Sequence, residues 1–134
     1  MSKYLFVYGT LQQASDNDMS RFLSKNSELV GKGHILGILY RISWFPGVVL
    51  SDSSSNKVFG TVFKLQNIDN VFSVLDDYEG FDEDNLKESL FTRVQTSVFL
   101  ENGEPLISWV YLYNQNIENS QQIISGDFLK DATP

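Results

Sequence analysis

Apolar residues at Ile68, Val71, Phe72 and Leu75 recur at offsets of three, four and seven, the spacing of one face of a helix. Gly80 follows directly and is the residue type that ends helices in the left-handed conformation, so the pattern predicts a helix from Ile68 with Glu79 in its last turn. A shorter helical spacing, Met19, Phe22 and Leu23, lies within Ala14 to Lys25, with Asp16, Asn17 and Asp18 as candidate N-caps. Elsewhere the pattern is that of strands. Leu5, Phe6 and Val7 form an apolar β-run, and Leu29 to Tyr40 is a long extended stretch broken by Gly31, Gly33 and Gly37. Glycines inside a strand predict bulges and bending, which suits a small barrel better than a flat sheet. Val48-Val49-Leu50 and Val58 to Leu65 read as two strands of a hairpin joined by the polar loop Ser51 to Asn56. Leu90 to Leu100 and Leu106 to Tyr113 flank Glu101-Asn102-Gly103-Glu104, and Asn-Gly between β-rich runs is the strongest short-range hairpin signal. Phe81 to Lys87 is acidic and aperiodic and reads as an exposed loop, while Ile123 to Phe128 reads as a short tail packed on the strands. Periodicity alone therefore predicts an α+β protein, mostly β.

Composition narrows the function more than the fold. The 134 residues suit one domain, read as residues 1–134, since no repeat, linker or composition break divides them. Net charge is −7 and the ten Lys and Arg are scattered, so neither a phosphate backbone nor an anionic membrane surface is an expected partner. The absence of cysteine removes disulfides, thiolate nucleophiles and thiolate metal sites, and a single His rules out a histidine-rich one. No metal or other cofactor is expected. Met1-Ser2-Lys3 leads straight into the first strand without a signal-peptide pattern, and no apolar run approaches bilayer length, so a cytoplasmic location is expected.

Two stretches carry candidate chemistry. In Val7-Tyr8-Gly9-Thr10-Leu11 a glycine follows a strand directly; with positive φ there, the backbone N–H groups of Gly9, Thr10 and Leu11 would converge into a nest for a carboxylate or an oxyanion. An ordinary glycine turn is the simpler reading of those five residues alone. In Leu75-Asp76-Asp77-Tyr78-Glu79-Gly80, Glu79 faces the negative end of a helix dipole with Asp76 and Asp77 beside it, which predicts a raised pKa. A carboxyl nearer neutrality is what general acid–base chemistry uses, although a solvated acidic helix end is the commoner fate of such a residue. His34 sits in a glycine-rich extended stretch with no nucleophile motif tied to it and reads as a surface or barrel-wall residue. Tyr111 and Tyr113 alternate along a strand and share a face, either lining a pocket or filling the core.

Taken together, VYGTL near the N-terminus and LDDYEG further on resemble the γ-glutamylcyclotransferase-like family, in particular its γ-glutamylamine cyclotransferase and AIG2-like branch. Further landmarks agree in order: Gly37-Ile38-Leu39-Tyr40, Pro46-Gly47, Gly60-Thr61-Val62-Phe63, Arg93, and Ser125-Gly126-Asp127-Phe128. The resemblance spans nearly the whole chain. It departs at Gln12-Gln13-Ala14, where relatives often carry a basic, glycine-containing stretch, and at Phe91, where a Tyr is usual.

The resemblance implies an α+β fold, a small mixed β-barrel with short flanking helices. It implies a reaction in which the α-amine of a γ-glutamyl amide attacks its own γ-carbonyl, releasing 5-oxoproline and a free amine. The nucleophile then comes with the substrate, which agrees with a chain lacking Cys and any evident metal cluster. By the same resemblance Glu79 matches the catalytic glutamate, base first and acid second, and Tyr8, Gly9, Thr10 and Leu11 match the substrate-binding segment. Tyr40, Arg93 and Tyr113 are candidates for the pocket wall. The expected partner is a small γ-glutamyl compound, with the leaving amine and the oligomeric state left open. A non-catalytic module binding an amino-acid-like ligand is the alternative, and an amidase using water is a third.

Overall fold

A computed structural model of the chain describes residues 2–9, 11–12, 17–53 and 55–130. In chain order these form β1 (Tyr4–Val7), α1 (Asp18–Lys25), β2 (Ser27–Arg41), β3 (Pro46–Leu50), β4 (Lys57–Leu65), α2 (Ile68–Glu79), β5 (Phe91–Leu100), β6 (Pro105–Tyr113) and β7 (Gln121–Gln122). Five strands close on themselves in the order β2, β4, β1, β6, β5 and back to β2 through Gly33 opposite Leu100 and His34 opposite Phe99. The β1–β6 contact is parallel and the others antiparallel, so the barrel is mixed, as expected.

β2 makes this closure possible because its 15 residues template partners along both edges. Its register shifts between Leu29 and Gly31, the bulge that the glycine spacing predicted. Leu36 C=O accepts from Ser51 N–H, whereas Gly37 N–H donates to Asn56 C=O. These two groups belong to one trans peptide and point opposite ways. β3 and β4 therefore take opposite edges of β2, and the expected hairpin between them does not form. Both strands exist as read, but each finds a longer partner in β2 than the other could offer. The hairpin of β5 and β6 does form, with Gly103 at φ 89° and its N–H donating to Leu100 C=O.

Strand alternation sorts the apolar side chains into two cores. Phe6, Ile35, Leu39, Val48, Val58, Val62, Val98 and Val110 fill the barrel. Leu5, Val7, Phe63 and Leu65 point the other way and meet Leu23 of α1 and Val71, Phe72 and Leu75 of α2. β1 is thus buried on both faces, the reason its sequence is an unbroken apolar run. Asn17 caps α1, its Oδ1 accepting from Ser20 N–H while Ser20 Oγ accepts from Asn17 N–H. Ala14, Ser15 and Asp16, within the stretch read as helical, lie outside the described residues. The late segment packs on the barrel through buried Ile123, which donates to Leu39 C=O. Among the described residues no helix is long and apolar enough to cross a membrane.

Candidate active site

α2 ends where the sequence predicted. Gly80 adopts φ 69°, its N–H donates to the carbonyls of Asp76 and Asp77, and Phe81 N–H donates to Asp76 C=O at 2.8 Å. This stop makes Glu79 the last helical residue, and the side chain enters a cavity of about 140 Å³ at the end of the barrel where β1 leaves it. Tyr8, Gly9 and Leu11 line one wall; Phe45, Pro46 and Tyr111 line others. Two stretches far apart in sequence, around Tyr8 and Glu79, are therefore brought to one cavity.

Burial raises the Glu79 carboxyl from its ordinary value of 4.5 to about 7. The direction matches the sequence reading, but the cause does not. Of the two acidic neighbours invoked there, Asp76 is held by Arg93, with Nε donating to Oδ1 at 2.8 Å and Nη2 to Oδ2 at 3.1 Å. Its charge is compensated on the spot. The guanidinium lies over the rings of Phe72 and Trp109, 3.9 and 4.6 Å from their centroids, so the pair is fixed in place. Glu79, in contrast, has no hydrogen-bond or ion-pair partner among the described residues and keeps its lone pairs for whatever enters the cavity.

Two phenols connect the walls. Tyr8 Oη donates to Tyr111 C=O at 2.5 Å, and Tyr111 Oη donates to Asp76 Oδ1 at 2.7 Å, giving a chain from β1 through β6 to α2. Burial first, and then the charge of Glu79, push the Tyr8 phenol well above its ordinary pKa. Burial, the hydrogen bond to Asp76 and that residue's charge do the same for Tyr111. Both phenols stay protonated. Gly9 does not take the positive φ expected for a nest; it packs against the Pro46 ring, where an added Cβ would lie 3.0 Å from Cγ and the ring would have to give by a few tenths of an ångström. Behind the turn, buried Gln12 donates through Nε2 and its backbone N–H to Gly9 C=O, and its Oε1 accepts from Thr61 Oγ1, which accepts from Lys32 Nζ. Thr10, also predicted for the site, lies outside the described residues.

The sequence matches the profile of the family described as gamma-glutamyl cyclotransferase, AIG2-like, over residues 5–130. The chain belongs to this family. Solved structures show the same fold. YkqA from Bacillus subtilis superposes with a TM-score of 0.70 at 23% identity, covering 96% of this chain, which spans only 40% of that protein. An AIG2-like protein from Mus musculus gives 0.65 at 19% identity over 87% of this chain and 80% of its own. The ytfP protein from Escherichia coli gives 0.64 at 23% identity over 97% and 99%. A search of curated protein sequences finds no match.

Within this family fold, the other residues singled out in the sequence fall away from the cavity. Arg93 binds Asp76 instead of lining the wall, Tyr113 packs edge-on against Phe91, and Tyr40 pairs in β2 with Gly47 and Gln122. His34 stacks on Phe99 of the barrel wall, 5.4 Å between centroids, and burial with the nearby Lys57 lowers its pKa. Of the two tyrosines on one face of β6, it is Tyr111 that lines the cavity. Sequence reasoning missed Trp44, Phe45, Tyr78 and Leu90, which also line it. Phe45 and Tyr78 abut the Pro46-Gly47 and Glu79-Gly80 landmarks, and that adjacency was the one signal available.

Proposed function

We propose that the protein cleaves γ-glutamyl amides by cyclotransfer, the γ-glutamylamine type of the reaction, releasing 5-oxoproline and a free amine. The observation that carries the reading is Glu79: a buried carboxyl without a partner among the described residues, lining an open-mouthed cavity and raised to about 7, on a chain of the gamma-glutamyl cyclotransferase, AIG2-like family. Glu79 accepts a proton from the substrate α-ammonium, and the freed nitrogen attacks the γ-carbonyl carbon. A C–N bond forms in the five-membered ring as the original amide C–N bond breaks. The α-nitrogen gives up two protons in becoming the lactam N–H, and the departing nitrogen gains two in becoming an ammonium ion. Glu79 relays them and ends as it began. The segment Tyr8, Gly9, Thr10 and Leu11 holds the glutamyl part. A well-oriented intramolecular attack has an effective molarity of roughly 10⁵ M or more, so positioning and proton transfer are the main demands on the protein.

The test is turnover of γ-glutamyl amides in heavy-oxygen water. Cyclotransfer yields unlabelled 5-oxoproline and no glutamate, and an N-acetylated γ-glutamyl amide does not react because its nitrogen is no longer nucleophilic. Label in glutamate, or amine release from the acetylated compound, would show that Glu79 activates water instead. Binding without turnover would leave a ligand-binding module.

A further inference from the structure

The mouth of the Glu79 cavity has its own chemistry. Trp44, in the turn between β2 and β3, is 68% exposed; Tyr78, one residue before Glu79, is 42% exposed; Leu90, just before β5, is 37% exposed. Exposed apolar side chains occur elsewhere on this surface, and singly they mean little. These three come from separate elements and all line the cavity that holds Glu79. Phe45 continues the rim inward, edge-on to Trp44 at 5.2 Å and in contact with Phe91 at 5.9 Å.

Charge is equally one-sided. Among the described residues, no Lys or Arg lines the cavity. Glu79 is the one carboxyl among the described lining residues. A carboxylate at the mouth would meet Glu79 with no cation among the described lining residues to offset it.

We propose that this rim selects the leaving amine, favouring amines with an apolar or aromatic body and no carboxylate; the assignment rests on the cyclotransfer reading. With the glutamyl part against Glu79, Tyr8, Gly9 and Leu11, the departing amine faces outward. Its substituent then lies between Trp44, Tyr78 and Leu90. A ring there gains aromatic contact and loses exposure to water, whereas an α-amino acid leaving group brings a second carboxylate toward Glu79 with no Lys or Arg among the described lining residues. Trp44 and Tyr78 are specificity residues and take no part in the bond changes.

The test compares kcat/KM for 5-oxoproline release from γ-glutamylbenzylamide, γ-glutamylmethylamide, γ-glutamylphenylalanine and the γ-glutamyl-ε-lysine isopeptide. The benzylamide should exceed each of the others by about tenfold, the scale of one good aromatic contact. Trp44→Ala should lower the benzylamide-to-methylamide ratio by about tenfold, and Trp44→Phe should restore most of it. A preference for phenylalanine or lysine leaving groups, or an equal loss on all substrates in Trp44→Ala, would overturn the proposal. Calorimetric binding of the same compounds to Glu79→Gln separates the two readings. Preference in turnover and binding supports both. Binding preference without wild-type turnover keeps the rim and removes the reaction; turnover without preference does the reverse; neither binding nor turnover removes both.

Discussion

Replacing Glu79 by Gln should stabilise the protein, relative to acidic pH, in the same pH range where it lowers activity. Below pH 4.5 the carboxyl is protonated in the folded and unfolded chain alike. Between 4.5 and about 7 the unfolded chain ionises while the folded one keeps its proton, so this residue makes stability fall as pH rises. Above about 7 the folded protein carries the enclosed charge and the loss is complete. At about 1.4 kcal/mol per pH unit, that interval amounts to about 3 kcal/mol. Water entering through the cavity mouth reduces it, so Glu79→Gln should be about 1–3 kcal/mol more stable than wild type at pH 8, relative to their difference at pH 4. Urea unfolding at several pH values measures this, and subtracting the two curves cancels the other acidic groups. A difference that stays flat from pH 4 to 8, or wild type gaining on the variant at pH 8, would refute burial as the cause. The same variant should lose about 10²-fold or more in kcat, since Gln keeps the shape and cannot carry the proton. Wild-type kcat/KM should rise through pH 7 as Glu79 deprotonates, a limb the variant lacks.

Asp76→Asn should cost about 2–3 kcal/mol in urea unfolding, because it removes the carboxylate charge and the acceptor of Arg93 Nη2 and leaves the guanidinium uncompensated among Phe72 and Trp109; the Arg93 and Asp76 side chains are 15% and 21% exposed, so the loss stays below that of a fully buried pair. Gln12→Leu should raise KM more than it lowers kcat and leave the pH profile in place, since Gln12 touches the Gly9 carbonyl and not Glu79; a shifted profile would contradict this placement. Gly9→Ala, which drives a methyl group toward Pro46, should likewise raise KM. His34→Ala should keep most of the 5-oxoproline-forming activity, and a large loss would mean that the barrel wall takes part in the reaction.

What the chain determines by itself is local. The three-four-seven spacing before Gly80 specifies α2 and its last residue because a helix and its cap are decided by neighbours within one turn. Asn102-Gly103 specifies the β5–β6 hairpin for the same reason: the turn conformation sets the register of the strands that leave it. Glu79 stood out because it ends that helix, and the segment after β1 because a glycine interrupts an apolar run. Tertiary structure decided everything that depends on pairing across the chain. β3 and β4 are legible as strands, but only the 15-residue length and two free edges of β2 determine that both join β2 and not each other. The spacing from Asp76 to Glu79 says nothing about which acid will be neutralised; Arg93, arriving on β5, takes Asp76 and leaves Glu79 without a partner among the described residues. The raised pKa of Glu79 follows from its burial at the end of the barrel, which the sequence does not display. The close contact of Gly9 with Pro46 exists only in the folded chain, and the rim draws Trp44, Tyr78 and Leu90 from three separate segments. Backbone preference acts over a few residues and can be read along the chain, whereas burial and ion pairing are properties of surfaces that exist only once distant segments meet.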